Sequence, residues 1–99
     1  MANVCENELR VFSENPDNIS KVMEFFKENW NYYDFDEVDS ENLTIYFDSK
    51  WDFPELQMID LVNSLPDKRN VSMTCLSTEW GNMYAEFHYF NGQHWIYNG

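Results

Sequence analysis

The sequence predicts an α+β sandwich, a mainly antiparallel sheet of four to five strands in the element order βαβαβββ with two helices on one face. Three features carry this expectation. Two-residue hydrophobic alternation recurs near both ends of the chain, two stretches of helical spacing each start at a proline, and Asn91-Gly92 separates two aromatic runs as a hairpin turn would. Strands and helices mixed in this proportion bury their apolar sides by laying helices against a sheet. With 99 residues there is room for one domain, residues 1–99, with a thin core.

The elements follow in order. Cys5, Asn7, Leu9 and Val11 alternate with Val4, Glu6, Glu8, Arg10 and Phe12, so the odd positions of a first strand should face the core. Asn15-Pro16 starts a helix, since proline at the first helical position gives up an N–H that has no partner there. Ile19, Val22, Met23, Phe26 and Trp30 form its apolar side, opposite Lys21, Glu24 and Glu28. An acid stretch read as a loop follows, then a second strand with Leu43, Ile45 and Phe47 inward. Pro54 opens a second helix over about residues 54–65, with Leu56, Ile59, Val62 and Leu65 on its buried side. The third strand, residues 71–78, turns Val71, Met73 and Cys75 one way; a fourth covers residues 83–90. A two-residue type I′ turn at Asn91-Gly92 would pair Phe90 with Gln93 and His88 with Trp95. Met83, Ala85, Phe87 and Ile96 are then expected in the core, and Tyr84, His88, Phe90, Trp95 and Tyr97 on an open aromatic face.

Charge excludes several function classes. The formal net charge is −12, and residues 1–55 hold four bases against fourteen acids, a balance of −10. Such a field repels phosphate and anionic lipid and speeds encounter with basic surfaces, so direct nucleic-acid binding is disfavoured. The 43% hydrophobic content is still ample for folding. The N-terminus carries acids where a signal peptide needs a basic region and an apolar run, and no window approaches a membrane span, so a cytoplasmic protein is expected. Cys5 and Cys75 are far apart without metal-ligand spacing, which points to reduced structural thiols.

The opening Met1-Ala2-Asn3-Val4-Cys5-Glu6-Asn7, the Ser49-Lys50-Trp51 with Pro54 ahead of the second helix, and the late Glu79-Trp80-Gly81 turn resemble the YubB ferredoxin-like family of small plasmid and phage proteins. The resemblance implies a ferredoxin-like α+β fold without an iron–sulfur cluster, and a mobile-element origin; a phage-encoded protein would work in the host cytoplasm. It carries over no catalytic residues. The acid insertion and the extra C-terminal strand depart from the family pattern.

Asp34, Asp36, Glu37, Asp39 and Glu41 fall within eight residues. A calcium loop would need a ligand where Val38 stands and glycine where Asp39 stands, so no metal site is expected. His88 and His94 are expected on opposite faces. No glycine-rich phosphate loop and no nucleophile–base grouping is visible, so neither catalysis nor a cofactor is expected.

Two binding expectations remain. In one, Glu24, Glu28 and the acid stretch form an acidic surface that occupies a basic, nucleic-acid-binding surface of a host nuclease or defence complex such as a CRISPR effector. The chain would then be a DNA mimic, an inhibitor of anti-CRISPR type. In the other, the aromatic open face (Tyr84, His88, Phe90, Trp95, Tyr97) is a generic interaction or homodimerisation surface, or an RRM-like platform for single strands.

Overall fold

The computed structural model describes residues 4–36, 38–50 and 52–97. The elements are β1 (Val4–Ser13), α1 (Pro16–Asn29), β2 (Tyr33–Asp36), β3 (Asn42–Lys50), α2 (Glu55–Ser64), β4 (Val71–Glu79), β5 (Tyr84–Phe90) and β6 (Trp95–Tyr97), with 3₁₀ turns at Lys68–Asn70 and Trp80–Asn82. The strands form one six-stranded antiparallel sheet in the order β2-β3-β1-β4-β5-β6. This is α+β and compatible with a ferredoxin-like class, because β3 lies between β1 and β2 while β1 lies between β3 and β4. The strand count and element order differ from the sequence expectation: the order is βαββαβββ. The additional strand is β2, whose Tyr33 and Phe35 turn toward the helices while Asp34 and Asp36 point away.

Alternation places the odd side of β1 inward as expected, with Cys5, Asn7, Leu9, Val11 and Ser13 all buried. Asn15 caps α1 by accepting from the Asp17 N–H at 3.0 Å, with Pro16 at the first helical position. The helix buries Ile19, Val22 and Phe26, and the rings of Phe26, Trp30 and Phe47 meet at centroid distances of 4.8 to 5.0 Å. Buried Asn18 ties α1 to the segment before β4. Its amide donates to the Asp67 carbonyl at 2.7 Å and to Ser13 Oγ at 3.1 Å, and its oxygen accepts from the Asp67 N–H at 3.1 Å.

Helix α2 is rotated from the expected stripe. Met58, Leu61 and Val62 are buried, whereas Leu56 is 75% exposed and Ile59 also faces out. Val62 and Leu65 of the expected stripe are buried, so the two overlapping apolar stripes share them, and tertiary contact chose between the rest. Trp95 donates its indole N–H to the Met58 carbonyl at 3.1 Å, which fixes the Met58 side against the sheet.

The two C-terminal hairpins carry the largest correction. Met83 is not a core strand residue but the left-handed residue (φ 53°) of the β4–β5 turn, and it is exposed. The second hairpin has a four-residue loop, Asn91 to His94, and pairs Phe90 with Trp95 and His88 with Tyr97. Asn91 Oδ1 accepts from the Gln93 and His94 amides at 2.9 and 3.0 Å, an Asx turn that outcompetes the two-residue type I′ turn. Gly92, at φ 94°, also lies against the Arg69 carbonyl, where an added Cβ would approach to 3.3 Å.

Because β4 pairs with β5 in the register Met73–Phe90, Cys75–His88 and Ser77–Glu86, the even side of β5 faces the helices. Phe90 is buried, His88 stacks on Phe53 at 3.8 Å with 9° between the rings, and Trp95 meets both Phe53 and Phe90. Tyr84, His88, Phe90, Trp95 and Tyr97 therefore lie on the helix-covered side, the reverse of the expected open aromatic face, while Ala85, Phe87 and Ile96 lie on the open side. Aromatics on both faces of β5 leave its alternation unable to say which face is inner.

Candidate functional site

The face of the sheet opposite the helices is left uncovered by them, and its residues follow from the register. One rung across the strands runs Asp36, Thr44, Arg10, Thr74, Tyr89, Ile96. The next runs Asp34, Tyr46, Glu8, Leu76, Phe87, and a third runs Asp48, Glu6, Thr78, Ala85. Carboxylates thus gather over β2, β3 and β1, and apolar side chains over β4, β5 and β6. On the middle rung Leu76 and Phe87 are adjacent and Tyr46 is parted from them by Glu8; each of the three is between 37% and 42% exposed.

On the acid half, Glu6 stands directly opposite Asp48. Like charges at opposed sheet positions cost stability. Arg10 is engaged with Glu8 at 2.9 Å, while Asp34, Asp48 and Glu6 enter no ion pair among the described residues. Glu6 is held from its other side by the Trp80 indole N–H at 2.8 Å. A cleft of about 370 Å³ opens where β2 leaves the sheet, lined by Glu6, Tyr32, Asp34, Tyr46 and Asp48 among others. A second groove, of about 560 Å³, lies beyond Arg10 under Val38 and Asp39.

The structure divides the expected acidic surface. Asp34 and Asp36 lie on the open face, whereas Glu24 and Glu28 are exposed on α1, across the sheet from them. Asp39 is occupied locally. Its carboxylate accepts from the Glu41 and Asn42 backbone amides at 2.8 and 2.7 Å, which hold it below the usual carboxylate range. Glu41 belongs to the same turn, its carbonyl accepting from the Ser13 N–H; Glu37 lies outside the described residues. Sequence reasoning missed Glu6, Glu8 and Asp48 as neighbours of Asp34. With Asp34 they come from three strands, and only cross-strand register brings them together.

The aromatic set expected on the open face lies instead on the helix side. There, burial lowers the basicity of His88 against the opposing charges of Glu86, Glu55 and Asp52, and Tyr84, half-buried beside Glu86, is held above the usual phenol range by desolvation and by that carboxylate. The two thiols flank buried Asn7, whose oxygen accepts from Ser77 Oγ at 2.6 Å and whose amide donates to Ser49 Oγ at 2.9 Å. Burial pushes the Cys75 thiol up to about 12, so it stays protonated and unreactive. No group of three or more His, Cys, Asp or Glu side chains among the described residues is arranged to hold a metal ion. No helix among them is long and apolar enough to cross a membrane. No protein-family model, no curated protein and no solved structure matches this chain, so the resemblance to the YubB ferredoxin-like family gains no support from them.

Proposed function

We propose that this chain is a non-enzymatic, ferredoxin-like protein-binding protein, and that its open sheet face docks on a basic, nucleic-acid-binding surface of another protein. One observation carries the reading. The uncovered face sets Asp34, Asp48, Glu6 and Glu8, with Tyr46 among them, beside exposed Leu76 and Phe87, a charged half for steering and an apolar half for burial. Nucleic acid itself meets phosphate–carboxylate repulsion on this face. Two copies joined face to face would oppose the same charges, which disfavours a homodimer through it. The single-strand platform loses its support, since the five residues invoked for it lie on the other side of the sheet.

The test begins with affinity capture at low salt, followed by rate measurements on the purified partner. Replacing Glu6, Asp34 and Asp48 by amides should slow association about tenfold and flatten its salt dependence, as loss of steering charge does. Replacing Glu24 and Glu28 should do less, and an oligonucleotide should compete for the partner. A complex indifferent to salt, to the oligonucleotide and to the open-face amides would overturn the reading.

A further inference from the structure

We infer that the end of the open face away from Glu6 and Asp48 holds a neutral saccharide, a pyranose ring laid against Phe12 with its hydroxyls bonded to Arg10, Thr44 and Thr74. This goes beyond the protein-binding reading above and does not depend on it. The site is built from two rungs of the sheet. Thr44 and Thr74 stand directly opposite Arg10, one on each neighbouring strand, and Asn42 and Ser72 stand directly opposite Phe12 in the same way. Both rungs line the groove of about 560 Å³ beyond Arg10, together with Val38 and Asp39. A second cleft, of about 330 Å³, is lined by Glu14, Arg69 and Asn91 and again by Phe12 and Ser72. Phe12, which is 44% exposed, is thus shared by two clefts, an arrangement that suits a chain of two or more sugar residues.

A buried polar group points to a ligand. Thr44 is only 6% exposed, yet it lies on the open side of β3 and lines the groove, and its hydroxyl has no hydrogen-bond partner among the described residues. Folding ordinarily satisfies a polar group buried to that degree. Beside it, Arg10 is tied to Glu8 through Nε alone among the described residues, which leaves its terminal amino groups as donors.

Charge and hydrogen bonding select the class of ligand. In a chain of net charge −12 each of these clefts is balanced: among the described residues Arg10 and Asp39 are the charged groups lining the first, and Arg69 and Glu14 those lining the second. A cation meets an arginine in either cleft, and an anion meets a carboxylate there and the field of the whole chain besides. A neutral ligand meets neither penalty. The first groove offers donors in the guanidinium, acceptors in the Asp39 carboxylate and hydroxyls that do both, next to one aromatic ring. A pyranose matches each of these, because its hydroxyls also donate and accept and its C–H face packs on a ring. A peptide fits less well. Peptides join sheets by pairing with an open strand edge, whereas β3, β1 and β4 each have a neighbour on both sides.

The experiment titrates the full, isotope-labelled chain with maltotriose, cellotriose and triacetylchitotriose, following amide shifts by NMR. At least one should bind with a Kd of about millimolar order, the scale that a small neutral ligand reaches in an open site. Its largest shifts should fall on Arg10, Phe12, Thr44 and Thr74. Phe12→Ala should weaken that sugar about threefold or more, the scale of one ring contact. Thr44→Val should weaken it by a similar factor, the scale of one hydrogen bond, without lowering the melting temperature, since the hydroxyl gives up no partner within the protein. Glu6→Gln with Asp48→Asn, at the other end of the face, should leave sugar binding unchanged, so that this site and the acidic docking surface are tested apart. Trigalacturonate, an anionic trisaccharide, should bind more weakly than the neutral ones. Absence of shifts around Arg10 and Thr44 with all three neutral sugars well above the millimolar level would overturn the inference. So would tighter binding of an uncharged glycine–serine hexapeptide, or a Thr44→Val variant that melts lower while keeping its affinity.

Discussion

On the helix-covered face of the sheet, Asn7 and Asn18 spend their amide groups on named partners and the rings of Phe26, Trp30 and Phe47 interlock. On the opposite face, Glu6 confronts Asp48, Asp34 lies nearby, and Tyr46, Leu76 and Phe87 stay partly in water. The same six strands supply both faces, so backbone pairing does not account for the difference. The covered face arranges polar groups as folding requires, satisfied when buried. The open face keeps like charges together beside exposed apolar surface, an arrangement that costs stability and favours a partner.

The largest effect should come from breaking the covered face. Phe26 is fully buried at the junction of α1 with β2 and β3, and Phe26→Ala should cost about 3–5 kcal/mol in urea unfolding, enough to threaten folding of a domain this small. Asn7→Ala leaves the Ser77 and Ser49 hydroxyls without their amide and should cost about 1–3 kcal/mol by the same measurement.

A pH test comes next. Burial holds the His88 pKa below its ordinary 6.5, so the folded ring stays neutral while the unfolded chain takes up a proton first. The resulting stability is present above pH 6.5 and is lost as pH falls below it toward the folded pKa. His88→Phe, which keeps the stack on Phe53, should flatten the melting temperature between about pH 7.5 and about pH 5.5, where most carboxylates remain ionised. An unchanged slope would show that His88 is not the source of the pH dependence.

The smallest effect has the opposite sign and sharpens the comparison most. Glu6→Gln with Asp48→Asn should raise stability by about 0.2–1 kcal/mol, because it removes a like-charge pair from adjacent central strands. It should also weaken binding to a basic partner. A variant that is more stable and binds less well would separate the two demands on the two faces; loss of stability would show that the open-face acids serve the fold.

Both helices, the inner sides of β1 and β3 and the sequence of later strands were legible in the chain, because each rests on local periodicity or on a cap such as Asn15-Pro16. β2 was not. Only Tyr33 and Phe35 mark it, within a run of acids, and it exists because β3 offers it an edge. The proposed binding face was half legible. The acidity of residues 1–55 was plain, but the acids singled out, Asp34, Asp36, Asp39 and Glu41 with Glu24 and Glu28, divide between the open face, a turn and the far side of α1.

By itself, the sequence determined which side chains of a strand or helix lie on the same side as one another, since that relation is set within a few residues by backbone geometry. Only tertiary structure decided which of those sides is inside. Tyr84, His88, Phe90, Trp95 and Tyr97 share one face, as their spacing requires. That face is turned inward because β5 pairs with β4 at Met73–Phe90, and because Phe53 and the Met58 carbonyl of α2 receive His88 and Trp95. The meeting of Asp34, Asp48 and Glu6 around Tyr46 is non-local in the same way: three strands contribute to it, and no periodicity along one strand records what its neighbours will bring.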